Sequence, residues 1–200
     1  MPQAASLHKN VGYRPTRQVL QMRCMTVFPV KHPAILILLG GESAPTMSEL
    51  FFEDFSPGQI HKASQRRRVE KDEIIAFASK YDPQPFHLDE EAARKSIFGR
   101  LVASGWHTAA ITMRLITESE YRAAAGTIGL GFDQLRWPMP VFPGDELRIE
   151  SEVLEVRASN SRPDWGLLKM RTRTLNQNGE VVQELIANAM VPRRAASEGG

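Results

Sequence analysis

The run Lys80-Tyr81-Asp82-Pro83-Gln84-Pro85-Phe86-His87-Leu88-Asp89-Glu90 sets a carboxylate and an imidazole on one short segment stiffened by two prolines. Each proline fixes its own φ and disfavours helix at the residue before it, so a helix arriving from the N-terminal side should stop near Tyr81. The chain is then expected to cross in an extended turn from which Asp82 and His87 project. Taken alone, these residues also admit a plainer account. Asp-Pro is a common turn opener, and a histidine can be a satisfied interior group.

On the N-terminal side, Glu70 to Lys80 reads as a helix. Asp72 and Glu73 stand near its start, where they complement the dipole, and Ile74, Ile75, Phe77 and Ala78 form a core-facing stripe. On the C-terminal side Asp89 can cap a second short helix from Glu90 to about Lys95. Further on, Ala103-Ser104-Gly105-Trp106-His107 leads into an apolar run with helical spacing (Ala110, Met113, Leu115, Ile116), which predicts a long helix from about Gly105 to Arg122. A glycine at a helix start leaves backbone N–H groups open to an anion or a polarised carbonyl.

Strand-like patterns cover Ile60 to Val69, Ile128 to Trp137 (interrupted by Gly129 and Gly131), Leu147 to Arg157, Gly166 to Asn176 and Val181 to Val191. Asn178-Gly179 is expected to form a tight hairpin turn. Phe51, Phe52 and Phe55 precede Pro57-Gly58 and read as aromatic residues packing before a turn. The expected architecture is α+β, a long central helix wrapped by an antiparallel sheet.

Several separated pieces together resemble the MaoC-like dehydratase and (R)-specific enoyl-CoA hydratase family. They are Phe77-Ala78, the run from Asp82 to Asp89, Phe98-Gly99, Ala103-Ser104-Gly105, and Pro140-Val141-Phe142-Pro143-Gly144-Asp145-Glu146-Leu147. Their order and spacing match over most of residues 50 to 192. The resemblance implies a single hot-dog domain, expected over residues 47–194, and an acyl-CoA thioester as substrate. The reaction it implies is reversible addition of water to a trans-2-enoyl thioester, giving a 3-hydroxyacyl thioester without a cofactor.

By the same resemblance Asp82 and His87 share the reacting water, and the backbone N–H of Gly105 polarises the thioester carbonyl. A free aspartate is ionised at neutral pH and can accept a proton from water within hydrogen-bond reach. Two positions depart from the usual family pattern. Gln84 replaces an asparagine yet keeps an amide able to hold the loop, and Ser104 replaces a histidine yet can still donate a hydrogen bond. The family's downstream serine falls near Met113, so that its support is either absent or replaced by Thr112. Trp106 and Met113 are candidates to line an acyl pocket, although large residues on such a helix are more often core. His107 is read as packing or capping within the first helical turn, and His87 with His107 lacks a further ligand for a metal site.

Two other functions fit a hot-dog domain. A thioesterase often places a carboxylate on the long helix, where Glu118 stands near the far end; a non-catalytic acyl-thioester-binding subunit would not need both Asp82 and His87. A lone hot-dog domain exposes its sheet, so the family resemblance also implies a homodimer or a higher oligomer.

The remaining features bound the setting. Two hundred residues suit one domain plus a tail, and a net charge of +2 gives no electrostatic case for a nucleic-acid partner. Arg66-Arg67-Arg68 fits either a solvated strand edge or contact with coenzyme A phosphates. Residues 1–46 carry five basic residues (Lys9, Arg14, Arg17, Arg23, Lys31) against one acid, Glu42. This segment is expected to be an unstructured extension upstream of a start at Met47, in preference to a transit peptide, and residues 195–200 a flexible tail. The apolar run Ala34 to Leu39 is too short to span a bilayer, so no membrane partner is expected. Cys24 is the single cysteine, for which a reducing compartment, the cytoplasm, is the simplest setting.

Overall fold

The computed structural model describes residues 49–119, 123–124 and 126–194. The expected extension 1–46, the tail 195–200 and Cys24 lie outside the described residues. Helix α1 (Lys71–Tyr81) buries Ile74 and Ala78 and ends at Asp82, whose N–H makes the last helical bond to Ala78 O at 2.9 Å. Pro83 supplies no further donor, so the helix stops where the proline pattern requires.

The segment that follows is not extended throughout. Residues Pro85–Leu88 form one helical turn, α2, with Pro85 at its first position. Proline disfavours helix only at the residue before it and is preorganised for a first helical position itself, so Gln84 is extended (φ −77°, ψ 139°) and the helix begins at Pro85. Helix α3 (Glu90–Arg94) is capped as expected, the Asp89 carboxylate accepting from Ala92 N at 2.7 Å.

Helix α4 (Gly105–Thr117) is shorter than its periodicity predicts, and residues 120–122 of the expected span are outside the described residues. Its last carbonyls are taken up by side chains. Thr117 Oγ1 donates to Arg114 O (3.0 Å), Ser119 Oγ to Ile116 O (2.7 Å) and Gln65 Nε2 to Glu118 O (2.9 Å). Hydroxyls that bind nearby backbone compete with helix continuation.

Strands β1 (Ile60–Lys62), β2 (Arg67–Arg68), β3 (Ile128–Arg136), β4 (Glu146–Ala158), β5 (Trp165–Leu175) and β6 (Val181–Pro192) form one antiparallel sheet. Its order is β1-β4-β5-β6-β3, with β2 also paired to β4. Ile60 to Val69, expected as one strand, is therefore two short pieces along the same edge of β4. The chain leaves the ladder between them, where Ala63 is buried and Gln65 reaches the end of α4. In the β5–β6 turn Gly179 N bonds to Asn176 O (3.0 Å), and Gly179 holds φ +80°, a left-handed conformation that glycine adopts without steric strain.

Strand β4 buries every second residue (Leu147, Ile149, Ser151, Val153), the period-2 signature of a sheet with one covered face. Leu147 and Ile149, with Val182 of β6, pack against Ile111 and Leu115 of α4 and Ile74 of α1. A second cluster at the other end of the sheet joins Phe55, Val153, Leu168 and Val191, with Phe52 packed on it. Strand β3 departs from this pattern. It is an edge strand with two register shifts, and Ile128, Leu130 and Phe132 are all exposed.

A methyl group added at Gly166 would overlap the Phe52 ring. Gly166→Ala is therefore expected to destabilise the fold by about 1–3 kcal/mol, the usual range for overpacking. Urea denaturation measures this, and an unchanged midpoint would show that Phe52 yields without loss.

Candidate active site

The C-terminus of α1 and the N-terminus of α4 converge on Asp82. Ser104 is the residue before α4. Its Oγ donates to Asp82 Oδ2 at 2.6 Å and accepts from Trp106 N at 3.2 Å, so one hydroxyl caps the helix and holds the carboxylate. Gly105, the first residue of α4, has a backbone N–H without an intrahelical acceptor by position, and the positive end of the helix dipole lies there.

His87 is buried on α2, with its ring edge-on to Phe86 (centroids 4.6 Å apart). Its Nδ1 lies 2.7 Å from Val102 O. A carbonyl can only accept, so Nδ1 carries the proton and the Nε2 of a neutral imidazole presents a lone pair. That nitrogen lies 3.5 Å from Asp82 Oδ2. Two acceptors facing each other across this gap can receive both protons of one water molecule.

The other candidate residues fall differently. Gln84 holds the loop through its backbone, Gln84 N bonding to Asp82 O (2.7 Å) and Gln84 O accepting from His87 N (2.9 Å); its side chain is exposed and does not cap α2. The loop-holding role expected of its amide therefore belongs to the peptide unit. Trp106 is largely exposed, and Thr112, the candidate substitute for a pocket serine, is fully buried, with its hydroxyl on Thr108 O and Thr174 Oγ1.

Arg67 and Arg68 pair with Glu73 (2.8 Å) and Glu70 (3.3 Å), which favours the structural account of the arginine triplet. Glu118 pairs with Arg114 at the opposite end of α4 from Asp82.

Two residues that sequence reasoning missed complete the site. The ring of Trp137 lies flat against Gly105: a Cβ on Gly105 would stand 2.8 Å from both Trp137 Cδ2 and Cε2. A side chain at this position would therefore have to displace the indole. The Trp137 indole in turn donates to Gln183 Oε1 at 2.8 Å. No local signal in the sequence marks either residue, because their contact spans 46 positions.

A cavity of about 670 Å³ lies toward the other end of α4. Met113, Ile116, Phe132, Met170 and Leu185 are among its lining residues, whereas Asp82, His87, Ser104 and Trp106 are not. Of the two pocket candidates on α4, Met113 therefore faces this cavity and Trp106 does not.

A sheet of this order packed on one central helix is the hot-dog fold. Residues 54–165 match the MaoC like domain, and the chain belongs to the MaoC-like dehydratase family. It is similar to a MaoC-like dehydratase from Rhodospirillum rubrum of known structure, with a TM-score of 0.70 and 54% identity, covering 74% of this chain and 99% of that one. It is 33% identical over 141 residues to the uncharacterized protein YdeM of Bacillus subtilis, which spans 70% of this chain and 98% of the relative. The (R)-specific enoyl-CoA hydratase of Aeromonas caviae is 32% identical over 119 residues, 59% of this chain and 83% of that enzyme.

His107 packs as expected. It is 7% exposed, stacked on Phe77 with centroids 4.9 Å apart and planes 14° from parallel. Burial pushes its imidazole below the ordinary histidine value; the Glu73 charge opposes the shift and Arg67 adds to it. As pH falls below about 6.5, the unfolded chain binds a proton that the folded His107 resists, so stability is lost on acidification. His107→Phe should flatten the fall in Tm between about pH 7 and about pH 5, although burial depresses His61 as well and leaves its share of the fall. An unaltered slope, followed by circular dichroism, would remove His107 from the acid response.

Proposed function

We propose that the protein reversibly hydrates a trans-2-enoyl-CoA or a related acyl thioester to the 3-hydroxyacyl thioester. The observation that carries this reading is the placement of the Asp82 carboxylate and His87 Nε2 3.5 Å apart, beside the first amide of α4 at Gly105. A water donating to both groups has its own lone pair free for C3 of the enoyl group. Its oxygen bonds to C3, the C2–C3 π pair moves toward the thioester carbonyl, and Asp82 with His87 receives the proton. The resulting enolate oxygen meets the Gly105 N–H, and the pair returns the proton to C2. Asp82 and His87 act as one coupled unit in this scheme.

A preorganised backbone donor of this kind contributes about 3 kcal/mol to transition-state stabilisation. The apolar cavity supports the same reading as a place for the acyl chain. Met113 is eight residues beyond Gly105 on α4, about 12 Å along the helix axis. The family name and the hydratase relative agree in reaction class.

The proposal includes a homodimer. Among the described residues no strand pairs with the outer edge of β3, and Ile128, Leu130 and Phe132 expose apolar surface on that strand, which a second copy would cover. Among the described residues no helix is long and apolar enough to cross a membrane, and the setting proposed for an acyl-CoA enzyme with a single cysteine is the cytoplasm.

Purified protein is expected to abolish the enoyl-thioester absorbance of crotonyl-CoA without releasing free thiol. Asp82→Asn should lower the rate at least about a hundredfold, the lower end for general acid–base catalysis. Thiol release would point to a thioesterase, and binding without turnover to a non-catalytic subunit. Phe132→Asp should shift the protein to monomer in sedimentation velocity; a monomeric wild type at working concentration would overturn the dimer.

A further inference from the structure

We propose that Trp137 is a specificity-determining residue whose indole, clamped from inside the core, forms a fixed wall beside the thioester site and restricts branching on the acyl carbons next to the thioester. This rests on the hydratase reading of the Asp82 site.

The clamp is a chain of buried hydrogen bonds whose direction is fixed by its ends. The indole N–H can only donate, and it donates to Gln183 Oε1 at 2.8 Å. Gln183 Nε2 donates to Thr112 Oγ1 at 2.9 Å. Thr112 Oγ1 donates to Thr108 O at 2.9 Å, which leaves Thr174 Oγ1, 2.6 Å away, to donate to Thr112. Gln183, Thr112 and Thr174 are all fully buried. An amide in a core strand is destabilising unless its oxygen and nitrogen both find partners, and here the partner of the oxygen is the indole. The network therefore resists any rotation of Trp137 that breaks its one polar bond.

Trp137 remains 39% accessible, and its ring atoms Cδ2, Cε2 and Cε3 face Gly105 where a Cβ would stand. A carbonyl bound to the Gly105 N–H would meet a nitrogen that is itself one covalent bond from the Cα beside the ring. The acyl C2 and C3 carbons would then pass along the indole. Trp106 meets Trp137 edge-on, with centroids 5.6 Å apart and planes at 72°, and closes the wall on the helix side. A planar, unbranched enoyl group fits along such a surface, whereas a methyl branch pointing at the ring needs the indole to move.

The test is the ratio of kcat/KM for 2-methylcrotonyl-CoA to that for crotonyl-CoA, measured for the wild type, Trp137→Ala, Trp137→Phe and Gln183→Leu. One methyl group against a fitted wall is worth about tenfold or more in discrimination. Trp137→Ala should raise the ratio at least about tenfold. Trp137→Phe, which keeps a ring but loses the clamped N–H, and Gln183→Leu, which removes the clamp, should raise it less and in the same direction. A purely structural role would lower both rates together and leave the ratio unchanged. If the wild type hydrates crotonyl-CoA and the ratio is unchanged in every folded variant, the wall is overturned while the hydratase reading stands. A folded wild type inert toward both thioesters would overturn the hydratase reading and the wall with it. Should Trp137→Ala fail to fold by circular dichroism, the Phe and Leu variants decide in the same way.

Discussion

The hydroxyl of Ser104 has one proton to give, and it gives it to Asp82 while accepting the N–H of Trp106. This bond resolves an electrostatic conflict in the chain. Asp82 is the C-terminal cap of α1, where the helix dipole disfavours a carboxylate, yet its side chain is drawn to the N-terminus of α4, where the dipole favours one. The two helix ends are therefore held together by the charge that suits only one of them. Because the same hydroxyl caps α4, the carboxylate keeps its place relative to the Gly105 amide. His87 joins this arrangement through a separate anchor, the carbonyl of Val102 just upstream of Ser104.

Local physics made much of this legible. Capping and periodicity placed α1 and α3 within about a residue, and β4, β5 and β6 are nearly where alternation put them. The errors arose where a residue's partner is far along the chain. Ile60 to Val69 has a strand-like pattern, but Gln65 leaves the ladder to bond the end of α4, a contact spanning 53 positions. Helix α4 stops early because hydroxyl groups and that glutamine occupy its last carbonyls. The turn at α2 differs in kind: proline both ends one helix before Pro83 and starts another at Pro85.

The candidate site divides along the same line. Asp82 and His87 share one turn, and Ser104 and Gly105 reach them across about 22 positions through the meeting of two helix ends whose boundaries the local pattern marks. Trp137 and Gln183 reach the site only through the sheet, the glutamine bonding Thr112 across 71 positions and the indole bonding the glutamine across 46. Nothing local marks Trp137 as different from a core tryptophan. The steric demand that it places on Gly105 emerges only when β3, β6 and α4 are packed.

Two groups of buried polar atoms flank the first turns of α4, and they differ in completeness. The Gln183 group satisfies every member, and such a network holds its surroundings in one arrangement. On the other side, His107 Nδ1, Glu73 Oε2 and Arg67 Nε are each buried without a hydrogen-bond partner, although Arg67 and Glu73 pair through their remaining atoms. The helix that carries Gly105 is thus fixed on its Trp137 side by direct bonds. On its His107 side it is held by ring stacking against Phe77.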